Sequence, residues 1–228
     1  MKAIKTLFIL CLIVSFNSFA QKDKNIINTV IEKYFNAIGG KERAKQIHTF
    51  SSKAVGNLKD NQIILTKKLM LPNLSTSSMK YRGKVISKNT FDGKEGIVMQ
   101  NDDEIEFTKE ETKRHKKNRC IFPEFDYLRT AKYLGIEKIE QKDCYVLQIE
   151  NTRVYYSVET GLKRKGVSIQ EKDGKTFLQQ LYFANYVNIE GLLFPTNLLL
   201  IAGNNKIEFQ TRSIVINRDV LKSDFNIE

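Results

Sequence analysis

The stretch Ile63-Ile64-Leu65-Thr66-Lys67-Lys68-Leu69-Met70-Leu71 decides the fold class of this chain. Successive residues of a strand point to opposite faces, so Ile63, Leu65 and Leu69 share one side while Ile64, Thr66 and Met70 share the other. Both sides are apolar, with Lys67 and Lys68 set in mid-strand, and Leu71-Pro72-Asn73 closes the run as a turn.

The period of two starts at Thr49 and continues well past this stretch. Ser75, Ser77, Met79 and Tyr81 share a face of the next run, followed by Tyr145, Leu147 and Ile149; Val154, Tyr156 and Val158; Phe177, Leu181 and Phe183; and Ile207 and Phe209. Between them stand the turn signals Asp92-Gly93, Thr160-Gly161, Asp173-Gly174, Glu190-Gly191 and Gly203-Asn204-Asn205. Asp173-Gly174, flanked by Ser168-Ile169-Gln170 and Thr176-Phe177-Leu178, is the strongest tight-hairpin signal. Strands this frequent, mostly without a helix between them, form an antiparallel meander.

Helical spacing shows at two places. Ile27, Val30, Ile31, Tyr34, Phe35 and Ile38 recur at three- and four-residue steps, with Asp23 or Asn25 as cap and Gly39-Gly40 as stop. A short helical turn is expected over Lys41 to Ile47. The second place follows the charge run of Lys109, Glu110, Glu111, Lys113, Arg114, His115, Lys116, Lys117 and Arg119. There Pro123, Phe125, Leu128 and Ala131 suggest one helix or a pair of short ones, stopped by Gly135. No linker or repeat divides the chain, so residues 21–228 are expected to form a single domain.

Residues 1–20 read as a secretory signal: Lys2 and Lys5, an apolar stretch from Leu7 to Phe16, then Ser18-Phe19-Ala20 before the cut. Losing them lowers the formal charge of the 228-residue chain from +11 to +9. Lipid attachment is not expected, because Cys11 lies inside the apolar stretch and Gln21 takes the mature N-terminus. The expected location is an oxidising, extracytoplasmic space, where nucleic acid is not an expected partner despite the basic balance. There Cys120 and Cys144 could pair, which would stabilise the fold by roughly 3.5 kcal/mol on a chain-entropy argument, or remain separate thiols. With 41% apolar residues and three Pro, the chain is neither disordered nor fibrous.

The catalytic inventory is thin. His48 and His115 lack a second ligand at helical spacing and read as surface or edge residues. There is no nucleophile elbow, phosphate loop or dinucleotide fingerprint. The cluster Asp102-Asp103-Glu104 with Glu106 lacks the spacing of a calcium loop and reads as a solvated hairpin end. Neither metal nor cofactor is expected, and the chain does not read as an enzyme. A hydrolase built on carboxylates brought together by folding is the third-ranked alternative.

What the sequence has in excess is apolar strand surface, in Ile63–Leu71, Tyr145–Ile149 and Leu192–Ile201. A sheet packed on one or two helices needs one apolar face; the other must meet more helix, more sheet or a ligand. A carrier of acyl chains needs a broad dry lining, because each CH₂ taken from a membrane must recover about 0.8 kcal/mol. A filled core would use the same residues. The expected lining comprises Ile63, Leu65, Leu69, Met79, Tyr81, Tyr145, Leu147, Tyr156, Phe183, Phe194 and Phe209. The basic positions Lys113, Arg114, Lys116, Lys117 and Arg119 could meet an anionic membrane surface or form a solvated loop.

Several segments carry a family likeness: Tyr34-Phe35-Asn36-Ala37-Ile38-Gly39-Gly40-Lys41-Glu42, Phe91-Asp92-Gly93-Lys94, and Gly135-Ile136-Glu137 leading to Cys144-Tyr145-Val146-Leu147. Tyr156 through Thr160-Gly161-Leu162 and Gly191-Leu192-Leu193-Phe194-Pro195 extend it. With the overall layout, these resemble the periplasmic lipoprotein-sorting carriers of the LolA/LolB-like fold, in the branch of bacterial outer-membrane lipoprotein-sorting proteins. The resemblance implies an α+β fold: a strongly curved antiparallel sheet, an incomplete β-barrel, closed by the N-terminal amphipathic helix and a mid-chain helical insertion. It also implies a non-catalytic soluble carrier holding a lipid or lipoprotein acyl chain, without cofactor, in outer-membrane biogenesis. The alternative function is an exported protein-interaction module with a filled core. Such carriers use a strand-borne Arg to hold a lid shut; Arg82 and Arg153 are not assigned that role here.

Overall fold

Two meanders that share a seam build the sheet. The computed structural model describes residues 23–58, 61–100, 103–172 and 175–227, and thirteen strands lie among them. The first meander runs β1 (Thr49–Leu58), β2 (Asn61–Met70), β3 (Leu74–Tyr81), β4 (Lys84–Phe91), β5 (Gly96–Gln100) and β6 (Asp103–Glu106). The second runs β7 (Lys132–Ile139), β8 (Lys142–Ile149), β9 (Thr152–Ser157), β10 (Lys163–Lys172), β11 (Lys175–Ile189), β12 (Leu192–Ala202) and β13 (Asn205–Ile216). Every neighbouring pair is antiparallel, and β1 pairs with β13 at the centre, where Phe50 faces Ile216.

The chain therefore works outward from the centre to one edge, β6, and resumes at the opposite edge, β7, before returning. What joins the two edges must cross the open side of the curved sheet. This crossing segment holds α3 (Lys109–Lys117), a 3-10 turn (Pro123–Asp126) and α4 (Tyr127–Thr130), after α1 (23–38) and α2 (Lys41–Lys45) at the N-terminus. Thr108 and Glu111 form a reciprocal capping box at the start of α3. The sheet does not close on itself, so the α+β incomplete barrel expected from the sequence is the fold observed.

The α1 stripe finds its partner on the concave face. Ile27, Val30, Ile31, Tyr34, Phe35 and Ile38 are buried against Leu69, Leu147, Val154, Tyr156, Leu192, Phe194 and Ile216, with Ile121, Phe122 and Tyr127 of the crossing segment closing the cluster. Full burial of such side chains stabilises by roughly 1.5–3 kcal/mol each. Gly39 ends α1 at φ +116°, and a Cβ there would stand 2.1 Å from the Gly191 carbonyl oxygen. That carbonyl instead accepts a hydrogen bond from Arg43 Nη1 at 2.9 Å, which fastens α2, just past the end of α1, to the β11–β12 turn.

Several local expectations need correction. Gly135 does not stop a helix; it sits at a register shift inside β7, with φ +112°. Leu128 is 44% exposed and does not face the core. Asn25 lies within α1 and is not its cap. His115 is half-buried between the rings of Phe91 and Phe107, at 5.0 and 4.9 Å, so it is not a plain surface residue. Arg82 lies in the β3–β4 turn, and Arg153 pairs with Gln148 and Val167 on the convex side.

The two-faced apolar strands are also resolved. On the convex side Cys144, Val146, Tyr155 and Val167 form their own small core. The C-terminal 3-10 turn Lys222–Phe225 packs near β3, buries Phe225 and pairs Asp224 with Lys68 at 2.5 Å. A tail too short to read as an element thus satisfies part of the surplus that the sequence suggested a ligand would cover.

Segment 1–20 and the Asp173-Gly174 turn lie outside the described residues, although Lys172 faces Lys175 in the hairpin register. Asp102 is also outside them, and Asp103–Glu106 forms the exposed edge strand β6.

Candidate ligand-binding site on the concave face

Strand register sorts the faces. Directly opposed residues share a face, so Tyr81, Ile63, Gly56, Phe209, Leu198 and Phe183 form one continuous row across the sheet. Met79 and Leu65 face Ala54, Leu69 faces Phe50, and Val154 joins Leu147 to Gly166. Tyr145 faces Tyr156, and Phe194 keeps the parity of Leu198. All eleven expected lining residues therefore stand on the concave face.

They divide into two groups along it. Leu69, Leu147, Tyr156 and Phe194 are buried beneath α1, and Tyr145 packs beside them. Beyond the reach of the helix, Ile63 and Phe209 are buried with Ala54 and Ile207, while Leu65, Met79, Tyr81, Leu198 and Leu200 around them are only half-buried. Phe183 is half-buried as well. One end of the curved sheet is covered by helix, and at the other the apolar residues around Ile63 and Phe209 stay only half-buried, a stretch we call the trough.

Two polar features stand between plug and trough, one on each wall. On β10, Lys163 Nζ lies 2.5 Å from Glu124 Oε1, which also accepts a hydrogen bond from the Tyr156 hydroxyl at 2.9 Å. The ammonium lies over the rings of Tyr34, Tyr156 and Phe183 at 5.4, 5.9 and 5.8 Å. Glu124 is 1% exposed, so this contact ties the crossing segment to the sheet from inside. Burial, and after it the Glu124 carboxylate, pushes the phenols of Tyr34, Tyr127 and Tyr156 well above their ordinary range.

The opposite wall carries Lys67, between Leu65 and Leu69 on the same face. A cleft of about 360 Å³ opens there, lined by Lys67, Ser75, Ser77, Asn89, His115, Asn118, Arg119 and Cys120. Burial holds the Lys67 ammonium below its ordinary pKa; Cys120 opposes this and the Lys163 charge adds to it. Yet Lys67 remains exposed to water. Both hold for a side chain surrounded by protein but standing in an open hollow.

The basic run does not act as one patch. Lys113, Lys116 and Lys117 are exposed on α3, and Arg114 lies 3.8 Å from Glu150. Arg119 turns into the cleft, with its guanidinium 4.8 Å from the Phe125 ring centre. Sequence reasoning missed Lys67, Glu124 and Lys163. A legible signal existed for the first: a lysine with leucines two residues away on each side.

Cys120 and Cys144 are both free thiols, and Cys144 belongs to the convex core while Cys120 lines the concave cleft. Among the described residues, no group of three or more His, Cys, Asp or Glu is placed to hold a metal ion.

This architecture matches solved structures of low sequence identity. A LolA superfamily protein from Nitrosomonas europaea is similar at 12% identity and a TM-score of 0.55, over 88% of this chain and 97% of that one. A DUF1329 family protein from Desulfovibrio piger is similar at 10% identity and a TM-score of 0.54, with the same coverage. The fold is LolA-like. No protein-family profile matches the sequence, and no curated protein is similar to it.

Proposed function

We propose that residues 21–228 form an exported, periplasmic, non-catalytic carrier that holds a lipid or lipoprotein acyl chain on the concave face. The half-buried trough of Leu65, Met79, Tyr81, Leu198 and Leu200 supports this reading above all, because it leaves apolar sheet surface next to solvent on the inside of the barrel. Export rests on the reading of residues 1–20. Among the described residues, no helix is long and apolar enough to cross a membrane. The exposed cations of α3 would face an anionic bilayer at delivery.

Native mass spectrometry of protein purified gently from its own host tests the reading, with displacement of an acyl-chain fluorophore as second readout. Retained lipid and fluorophore binding that falls in Leu200→Gln are expected. Clean ligand-free spectra with no fluorophore binding would overturn it and leave the filled-core interaction module.

A further inference from the structure

The cations of the concave face are not treated alike. Lys163 is matched by Glu124 at 2.5 Å, and Lys68, the neighbour of Lys67, points to the convex side and is matched by Asp224. Lys67 has no carboxylate or hydrogen-bond partner for its ammonium among the described residues. Arg119, which lines the same cleft, has no ion pair among the described residues, and its Nε is buried without a hydrogen-bond acceptor there. Among the described residues no acidic side chain lines the cleft, whereas Ser75, Ser77, Asn89 and Asn118 bring neutral hydrogen-bonding groups to its wall. The Arg119 Nε is a buried donor left without an acceptor, which is costly, and the exposed Lys67 ammonium has no protein acceptor among the described residues; an anion in the cleft would serve both.

Position adds the second argument. On the concave face Lys67 follows Leu65, which packs with the trough, and precedes Leu69, which packs under α1. It therefore stands at the inner end of the apolar trough, where the polar end of an extended amphiphile would arrive if its tail lay along Leu65 and Met79.

We propose that the cleft at Lys67 and Arg119 receives the anionic head group of the bound amphiphile, so that the cargo is an acidic lipid and not a neutral one. This rests on the concave face being the acyl site. Lys67 donates charge-assisted hydrogen bonds to the carboxylate or phosphate oxygens, and the Arg119 guanidinium supplies the planar fork such groups accept. Tail burial supplies affinity, and the cation pair supplies choice.

The test is competition against an acyl fluorophore with full mature protein and four probes of matched tail: palmitate, palmitoyl lysophosphatidate, methyl palmitate and hexadecanol. One or both anionic probes should bind about tenfold tighter than the neutral pair, and the tighter anion identifies carboxylate or phosphate as the head group. Lys67→Met and Arg119→Met should each shrink that ratio and together bring it to about one, with methyl palmitate affinity unchanged and Lys67→Arg retaining the preference. Unchanged neutral-probe affinity also reports that the variants are folded. Equal affinities in the unaltered protein, or a ratio that survives the double substitution, overturn the head-group site while the acyl reading stands. Failure of all four probes to bind overturns both.

Discussion

Lys163 on β10 and Glu124 in the crossing segment meet at 2.5 Å, inside a shell of Tyr34, Tyr156 and Phe183 rings. Removing one partner leaves the other buried and uncompensated, which costs about 3–5 kcal/mol in such settings. Lys163→Met should therefore lower the urea midpoint strongly, as should Glu124→Gln. The double variant should lose less than the sum of the two, and an additive double-mutant cycle would show that the contact does not bind segment to sheet.

Gly39→Ala is expected to destabilise by roughly 2 kcal/mol or more, since the new methyl meets strained backbone and the Gly191 carbonyl together. Gly203→Ala, also at positive φ but with open space around the added methyl, should cost less. Equal melting temperatures for the two variants would remove the close approach of helix and turn as the cause.

Burial pushes the Cys120 thiol up to about 11 and also raises Cys144. Alkylation at neutral pH should be slow in the folded protein and rapid in denaturant. The intact mass should show both cysteines reduced; a loss of two hydrogens would contradict the placement of the two sulfurs on opposite faces.

Acid should loosen the C-terminal tail. Burial pushes the Asp224 carboxyl up, but the Lys68 ammonium, the Leu221 N–H and the Lys68 charge outweigh it, and the net shift is downward. A carboxyl depressed in the folded state contributes stability above its unfolded pKa and loses it as protons bind. The melting temperature should fall as pH drops below about 4, and Asp224→Asn should flatten that fall. A slope unchanged in the variant would assign the acid sensitivity elsewhere.

The strands were legible because alternation is a local property: Ile63 to Met70 declares two faces whatever surrounds it. All eleven residues expected to line the site share a face for the same reason. What alternation could not say was which face curved inward, or what would cover each one. Phe225 and Asp224 carry no periodic pattern of their own, and their value appears only when β2 and β3 lie beneath them.

Gly135 shows a different limit. A glycine after Phe125, Leu128 and Ala131 suggests the end of a helix, because helix ends need positive φ. A strand irregularity needs the same backbone freedom, and in β7 it is what the residue supplies. Glu124 was hidden for a third reason: its partners Lys163 and Tyr156 lie on other elements far along the chain, and an isolated Pro-Glu carries no trace of them.

Because β1 and β13 meet at the seam, each meander can zip up from local hairpins, and one ladder of distant residues then joins them. The molecule is in effect two half-shells on a shared hinge line, strung together by a strap across the front. A break in that strap between α3 and the 3-10 turn would leave both sets of strands whole, while α1 would have to dock again on the second half-shell. Two separately expressed fragments, 21–119 and 120–228, are expected to recombine into a working shell by re-forming the Phe50–Ile216 edge.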